Sequence, residues 1–249
     1  MTNIDYFIQA YNKLDLFMRQ KLNHDMSISH SKLLSQMTKI DPVFAHIETK
    51  LQAYRALRNA IVHIHHEGET PIAMPNEDVV SDYQKIVSYA LSPPLAINSI
   101  AITKIYSVEW ETKISKVNSL MEEKGFSLIP ITQFGKIEGI FNSWLFQKYL
   151  FESNFKVNPE TTLKEMQGQF HLQHPISKIN HDFRIGFVKP DVTIQEVIKC
   201  FLDSAKDGHY FKAVYLTENG KPFEHLLGVI TPHCLPSVNP TLVNQKLNI

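Results

Sequence analysis

The chain has 249 residues, and lysine plus arginine balance aspartate plus glutamate at 25 each. That length has room for two modest domains with a sizeable core, and the balance excludes a bulk attraction to nucleic acid or an anionic membrane, so any RNA or nucleotide site must be local. No apolar run approaches the roughly 18 to 20 residues needed to span a bilayer, and the two cysteines, Cys200 and Cys234, have no paired spacing.

The first residues, MTNIDYFIQAYNKLDLF, carry acids among the apolar positions and have no basic start or small-residue cleavage site, unlike a signal peptide. The expectation is a cytoplasmic protein with free thiols and no membrane partner. Up to about residue 92 the apolar residues recur with a helical period, and the first glycine is Gly68. Four helices are expected, near 3 to 22, 28 to 38, 42 to 66 and 77 to 91. Asn76 caps the last, with Glu77 and Asp78 placing negative charge in its first turn. Ser92-Pro93-Pro94 ends it and marks the boundary between a helical domain, 1–92, and a second domain, 93–249.

Beyond the prolines, short β-rich runs alternate with short amphipathic helices, and the pattern occurs twice. SVEWETKISKVNSLM (107 to 121) aligns with FVKPDVTIQEVIKCF (187 to 201), placing Val108, Ile114 and Val117 opposite Val188, Ile194 and Val197. FSLIPI (126 to 131) then matches FKAVYL (211 to 216), and GIF (139 to 141) matches GVI (228 to 230). Each copy, about 95–165 and 166–240, reads strand, helix, strand, turn, strand, helix. Thr193 and Glu196 form a capping box at the helix of the second copy. Neither copy can bury a sheet face alone, so the two should pack together and the fold class is α+β. The arrangement resembles a tandem pair of CBS domains, the regulatory modules named after cystathionine beta-synthase.

One stretch of the helical domain, YRALRNAIVHIHHEGE (54 to 69), does not suit an ordinary buried helix. Tyr54, Leu57, Ile61 and Ile64 make an apolar stripe, while Arg55, Asn59, His63 and His66 lie opposite, with Arg58 at the border. Asn is a poor mid-helix residue because its side chain competes for backbone hydrogen bonds. Arg58, Asn59 and His63 together match the RNxxxH form of the motif of HEPN domains, helical bundles that include many RNA-cleaving proteins. The resemblance implies metal-independent RNA cleavage. His63 would move protons, Arg58 would hold the phosphate oxygens, and Asn59 would orient one or the other. Residues five apart on a helix point about 140° away from one another, so a homodimer with two such helices side by side is expected to complete the site. The structural alternative is that Arg58 and Asn59 hold a neighbouring helix and His63 is an interface histidine. His63, His65, His66 and Glu67 lack the spacing of a metal site, His171 and His174 read as loop residues, and no metal or resident cofactor is expected.

For the repeat, the CBS resemblance implies a nucleotide effector held by a Thr or Ser after the exit strand and an Asp three residues later. The second copy has Thr231 with Cys234 at the Asp position, and the first has Asn142 with Leu145. Both lack the ribose clamp, so adenosine nucleotides should bind weakly, with any residual effect dependent on Thr231. Thr231 and His233, and Asn142 and Ser143, remain candidates for a nucleotide or phosphate at a helix N-terminus, or are simply helix caps. Two functions follow: an RNA-cleaving enzyme assembled or regulated by a degenerate CBS pair, or a non-catalytic nucleotide sensor or scaffold acting through dimerisation.

Overall fold

The computed structural model describes residues 1–63, 71–154, 156–173, 184–206 and 211–237. The chain divides into two compact units, one built on residues 1–94 with 193–199 and the other on 95–192 with 200–237.

The first unit contains α1 (Asn3–Leu22), α2 (His30–Ile40), α3 (Pro42–His63) and α4 (Glu77–Leu91). Their limits follow from local chemistry. Thr2 and Asp5 form a capping box at the start of α1, Ser29 caps α2, and Asn76 Oδ1 accepts the Val79 N–H at 2.9 Å to start α4. Pro42, whose missing N–H has no partner to lose at a first helical position, opens α3. Phe7, Leu14 and Met18 of α1, Leu33 and Met37 of α2, Phe44 and Leu51 of α3 and Tyr83 of α4 form one fully buried core. Tyr54 and Tyr83 stack at 4.4 Å beside it. The apolar stripe of α3 faces inward as expected for Tyr54, Leu57 and Ile61; Ile64 lies outside the described residues.

The second unit opens on a short turn, α5 (Ala96–Ser99). The first copy then supplies α6 (Ile114–Lys124), β1 (Leu128–Gln133), β2 (Lys136–Asn142) and α7 (Ser143–Glu152). The second copy begins with a one-turn helix α8 (Gln167–Phe170) and continues with β3 (Arg184–Val188), α9 (Ile194–Lys206), which the two units divide after Lys199, β4 (Phe211–Thr217), β5 (Leu226–Ile230) and a short 3-10 helix, Pro232–Ser237. The repeat holds down to single residue pairs. Val108 bridges in parallel to Ile131, which lies antiparallel to Gly139. Val188 pairs in parallel with Leu216, which lies antiparallel to Gly228.

The copies also exchange a segment. Ile102, near the start of the first copy, pairs antiparallel with Val229 of the second, and His171, near the start of the second, pairs with Gly139 of the first. Each sheet is thereby extended by chain from the other copy. Ile137 and Ile140 of one sheet and Ala213 and Tyr215 of the other share a buried cluster. This is why neither copy buries its sheet face alone. Gly139 makes the exchange possible: a Cβ there would stand 2.7 Å from the Trp110 ring and 2.8 Å from the Phe170 carbonyl oxygen. The expected reciprocal cap at α9 is present, with Thr193 N–H donating to Glu196 at 2.8 Å and Glu196 N–H donating to Thr193 Oγ1 at 3.3 Å. The second copy departs from expectation at its end, where six residues of 3-10 helix stand in place of an α-helix. No described helix is long and apolar enough to cross a membrane.

Candidate functional site

The two candidate places lie in different units and are built differently. In the helical unit, Arg58 and His63 sit on the last two turns of α3. Their Cα–Cβ bonds diverge as the helical wheel requires, but arginine is long enough to close the gap. Arg58 Nη1 lies 2.7 Å from His63 Nε2. The geometric reason for bringing in a second copy of the chain therefore falls away, since one chain already joins the two groups.

The chemistry of that contact is one-sided. A guanidinium has only donors, so in this contact Nε2 of His63 is the acceptor. His63 is exposed and Arg58 half-buried. The Nε2 lone pair is thus occupied by Arg58. Asn59 is exposed and its side chain makes no hydrogen bond among the described residues, so it orients neither group here.

Beneath Arg58 lies a chain of contacts within the bundle. Its guanidinium stands over the Tyr11 ring at 5.2 Å, and Tyr11 stacks on His30 at 4.2 Å. His30 Nδ1 is 2.8 Å from Asp15, which also accepts from Arg19 Nε at 2.6 Å. Burial holds the His30 pKa below the ordinary histidine range, against the pull of Asp15. Burial likewise pushes the Tyr11 phenol up to about 12, opposed by the charge of Arg58. Arg58 Nε is buried without a partner. The structural alternative for Arg58 is thus half satisfied: it anchors on Tyr11 of a neighbouring helix through its ring face. His65, His66, Glu67 and His174 lie outside the described residues. Among the described residues no three His, Cys, Asp or Glu side chains gather as a metal site. His171 lies outside the named helices and strands, as expected, but is held there by an isolated bridge to Gly139 and stacks on Trp110 at 5.8 Å.

In the repeat unit, the four candidate residues separate. Thr231 and His233 line a cleft of about 550 Å³. Asn142 and Ser143 do not line it. Asn142 Oδ1 accepts from Trp144 N–H at 2.9 Å and Leu145 N–H at 3.2 Å, its Nδ2 donates to the Ser127 carbonyl, and the Ser143 N–H reaches the same carbonyl at 3.3 Å. The Asn142 amide and the Ser143 N–H are thus already engaged within the fold. The helix-terminus argument also fails at Thr231, because the helix that follows is a short 3-10 turn. Cys234 Sγ folds back to 3.4 Å from the Thr231 backbone nitrogen and 3.6 Å from its Oγ1.

The cleft gains its character from residues that the repeat pattern did not single out. Lys104, Lys124 and Lys212 line it together with His233, and no described lining residue is acidic. Lys124 stands over the Tyr106 ring at 5.2 Å and reaches Glu123 at 2.7 Å, whereas Lys104 and Lys212 have no ion-pair partner among the described residues. Tyr106 and Phe126, 5.8 Å apart, flank the opening. Leu128 and Val229 give an apolar floor, with the more exposed Ile102 beside the opening. The three lysines are widely separated along the chain and only the segment exchange gathers them. Such a cleft can hold an anion at its rim and a flat apolar group inside.

No protein-family model matches the sequence, and no curated protein matches it. The fold is similar to several solved structures. Hypoxic response protein I with two coordinated zinc ions is 15% identical, over 59% of this chain and 100% of that one, with a TM-score of 0.41. CBSX2 in complex with AMP is 10% identical, over 59% of this chain and 97% of that one, with a TM-score of 0.40. The CBS domain pair of protein MJ0100, in complex with 5′-methylthioadenosine and S-adenosyl-L-methionine, is 14% identical, over 57% of this chain and 93% of that one, with a TM-score of 0.39.

Proposed function

We propose that the repeat unit is a CBS-type pair that senses a phosphate-bearing, nucleotide-like ligand, and that the protein is a non-catalytic sensor or scaffold acting as a homodimer. The observation that carries this reading is the cleft, where three lysines and a histidine meet over an apolar floor with no acidic residue among those described. Lysines at the rim attract phosphate through charge, and the aromatic pair and floor suit a flat ring. The ligand is therefore held by its anionic end and its ring, with Thr231 contributing at the strand exit. Isothermal titration with ATP and with inorganic tripolyphosphate tests it. Binding of both, weakened about tenfold or more by Lys212→Glu, is the expected result. Binding of neither compound would overturn the reading, and a strictly monomeric protein in sedimentation at micromolar concentration would remove its dimeric part.

A second reading, metal-independent RNA cleavage by the helical unit, is favoured by one distance, the 2.7 Å between Arg58 Nη1 and His63 Nε2 on an exposed face. In it, a phosphate draws Arg58 away and releases His63 as the base for the 2′-OH, while Asn59 turns inward to orient the phosphate. Incubation with tRNA and single-stranded RNA in EDTA decides between the readings. Cleavage slowed about 10² to 10⁴ fold by His63→Ala, and comparably by Arg58→Ala, supports the enzyme. No cleavage, or equal cleavage by wild type and variants, leaves the sensor alone.

A further inference from the structure

Four buried side-chain atoms among the described residues have no hydrogen-bond partner: Arg58 Nε, Tyr89 OH, Gln195 Oε1 and Tyr215 OH. Of these residues, Tyr215 alone lines the cleft. It is fully buried on β4, and an unpaired hydroxyl in that position keeps its full desolvation penalty. Phenylalanine would fill the same volume without that penalty. The hydroxyl is thus a cost to the ligand-free fold.

Its placement says what the group is available to. Tyr215 is paired with Val229 across β4 and β5, so the two side chains share a face of the sheet. Val229 and Leu128 pack in the cluster with Tyr215, and both line the cleft. Tyr215 therefore belongs to the apolar floor, beneath a rim whose positive charge comes from Lys104 and Lys212. Burial raises the phenol pKa well above its ordinary value, so the group stays protonated and can donate as well as accept. A ligand that lies with its phosphates at the rim presents its other end to this floor.

We infer that the Tyr215 hydroxyl reads the polar edge of a heterocycle seated on the cleft floor, and is the group that separates a base-bearing phosphate from a bare one. This inference rests on the cleft reading proposed above. It assigns the ligand two recognised parts: a polyphosphate held by lysines and a ring system with at least one hydrogen-bonding edge atom.

The test compares wild type with Tyr215→Phe as full-length protein, titrated calorimetrically with ATP and with inorganic tripolyphosphate, alongside ligand-free thermal melting. The expected result is a loss of about five- to tenfold in ATP affinity, the worth of one hydrogen bond. Tripolyphosphate affinity stays the same, and the ligand-free melting temperature is equal to or above that of wild type. Equal ATP affinity in the two proteins would overturn the inference, as would a parallel loss for both compounds. A lowered ligand-free melting temperature would also overturn it, by showing that the hydroxyl already has a structural partner. Wild type that binds tripolyphosphate but not ATP sinks the inference and spares the cleft. Wild type that binds neither overturns both.

Discussion

The two copies of the repeat share one strand plan, yet their exits differ in use. At the end of β2, Asn142 is buried, its Oδ1 caps α7 and its Nδ2 donates to the Ser127 carbonyl. At the end of β5, Thr231 stands in a cleft and leads into a short 3-10 turn. The same topological position is thus structural in one copy and open in the other. Duplication conserves the sheet pairing because every pair is needed to bury the shared core, whereas the exit residue is free to take either role once the pairing is fixed.

The largest expected effect breaks the comparison at its glycines. Gly139 and Gly228 oppose equivalent residues, Ile131 and Leu216. A Cβ at Gly139 would collide with the Trp110 ring and with the Phe170 backbone oxygen, at 2.7 and 2.8 Å, while one at Gly228 would make ordinary contacts from 3.4 Å outward. Backbone cannot step aside cheaply. Gly139→Ala should cost about 3 kcal/mol, the upper part of the overpacking range, and Gly228→Ala should stay within about 0.5 kcal/mol. Urea midpoints at unchanged slope measure both. Equal costs would mean that the exchanged segments are equally crowded and that the difference between copies is wrong.

A smaller effect separates the exits themselves. Asn142→Ala removes a helix cap and should cost about 1 kcal/mol, with no change in ligand affinity. Thr231→Ala should leave stability within about 0.5 kcal/mol and weaken ATP binding. Melting curves and titration of both variants check the crossing pattern. A Thr231→Ala protein that loses stability but not affinity would make Thr231 another cap.

Much of the fold was legible in the sequence and the site much less so. Helix starts are local, so Asn76 and the Thr193–Glu196 box could be read from spacing alone. The repeat was visible because Val108, Ile131 and Gly139 sit in short runs that match those of Val188, Leu216 and Gly228 block by block, although the loops between the runs are longer in the second copy. By contrast, the cleft depends on Lys104, Lys124 and Lys212 meeting across an exchanged segment, and no periodicity announces that. Tyr215 read as one more apolar position of FKAVYL, since an orphan hydroxyl is defined by what surrounds it. The wheel angle between Arg58 and His63 misled for a plainer reason: it describes Cβ directions and ignores the reach of a four-torsion side chain.

The hairpin of the first copy sharpens the comparison at a level of tenths. β1 turns into β2 through Phe134 and Gly135, both with positive φ, at 50° and 77°. Two-residue turns of this kind favour Asn or Asp followed by Gly, because a bulky side chain is strained in the left-handed region. Phe134 is also 87% exposed, so little packing offsets the strain. Phe134→Asn should stabilise the protein by about 0.5 to 1 kcal/mol, seen as a raised urea midpoint. A loss of stability would show that the Phe134 ring makes a contact worth more than the turn geometry.

The smallest expected effect is a near-absence of one, and it tests how the open exit recognises its ligand. A ribose held by a carboxylate is bound through charge-assisted hydrogen bonds, worth about 1.5 to 3 kcal/mol each, so losing one hydroxyl from such a site costs tenfold or more. Here the described lining of the cleft has no acid, and Cys234 turns its sulfur back onto Thr231. No carboxylate among the described lining residues is placed to hold a vicinal diol. ATP and 2′-deoxy-ATP should therefore bind within about threefold of each other, which corresponds to less than about 0.7 kcal/mol. Titrating both into the same protein preparation measures the ratio directly. If ATP binds tenfold tighter or more, a group not yet identified grips the ribose, and recognition at this exit is closer to a full nucleotide clamp than to an anion rim above a flat floor.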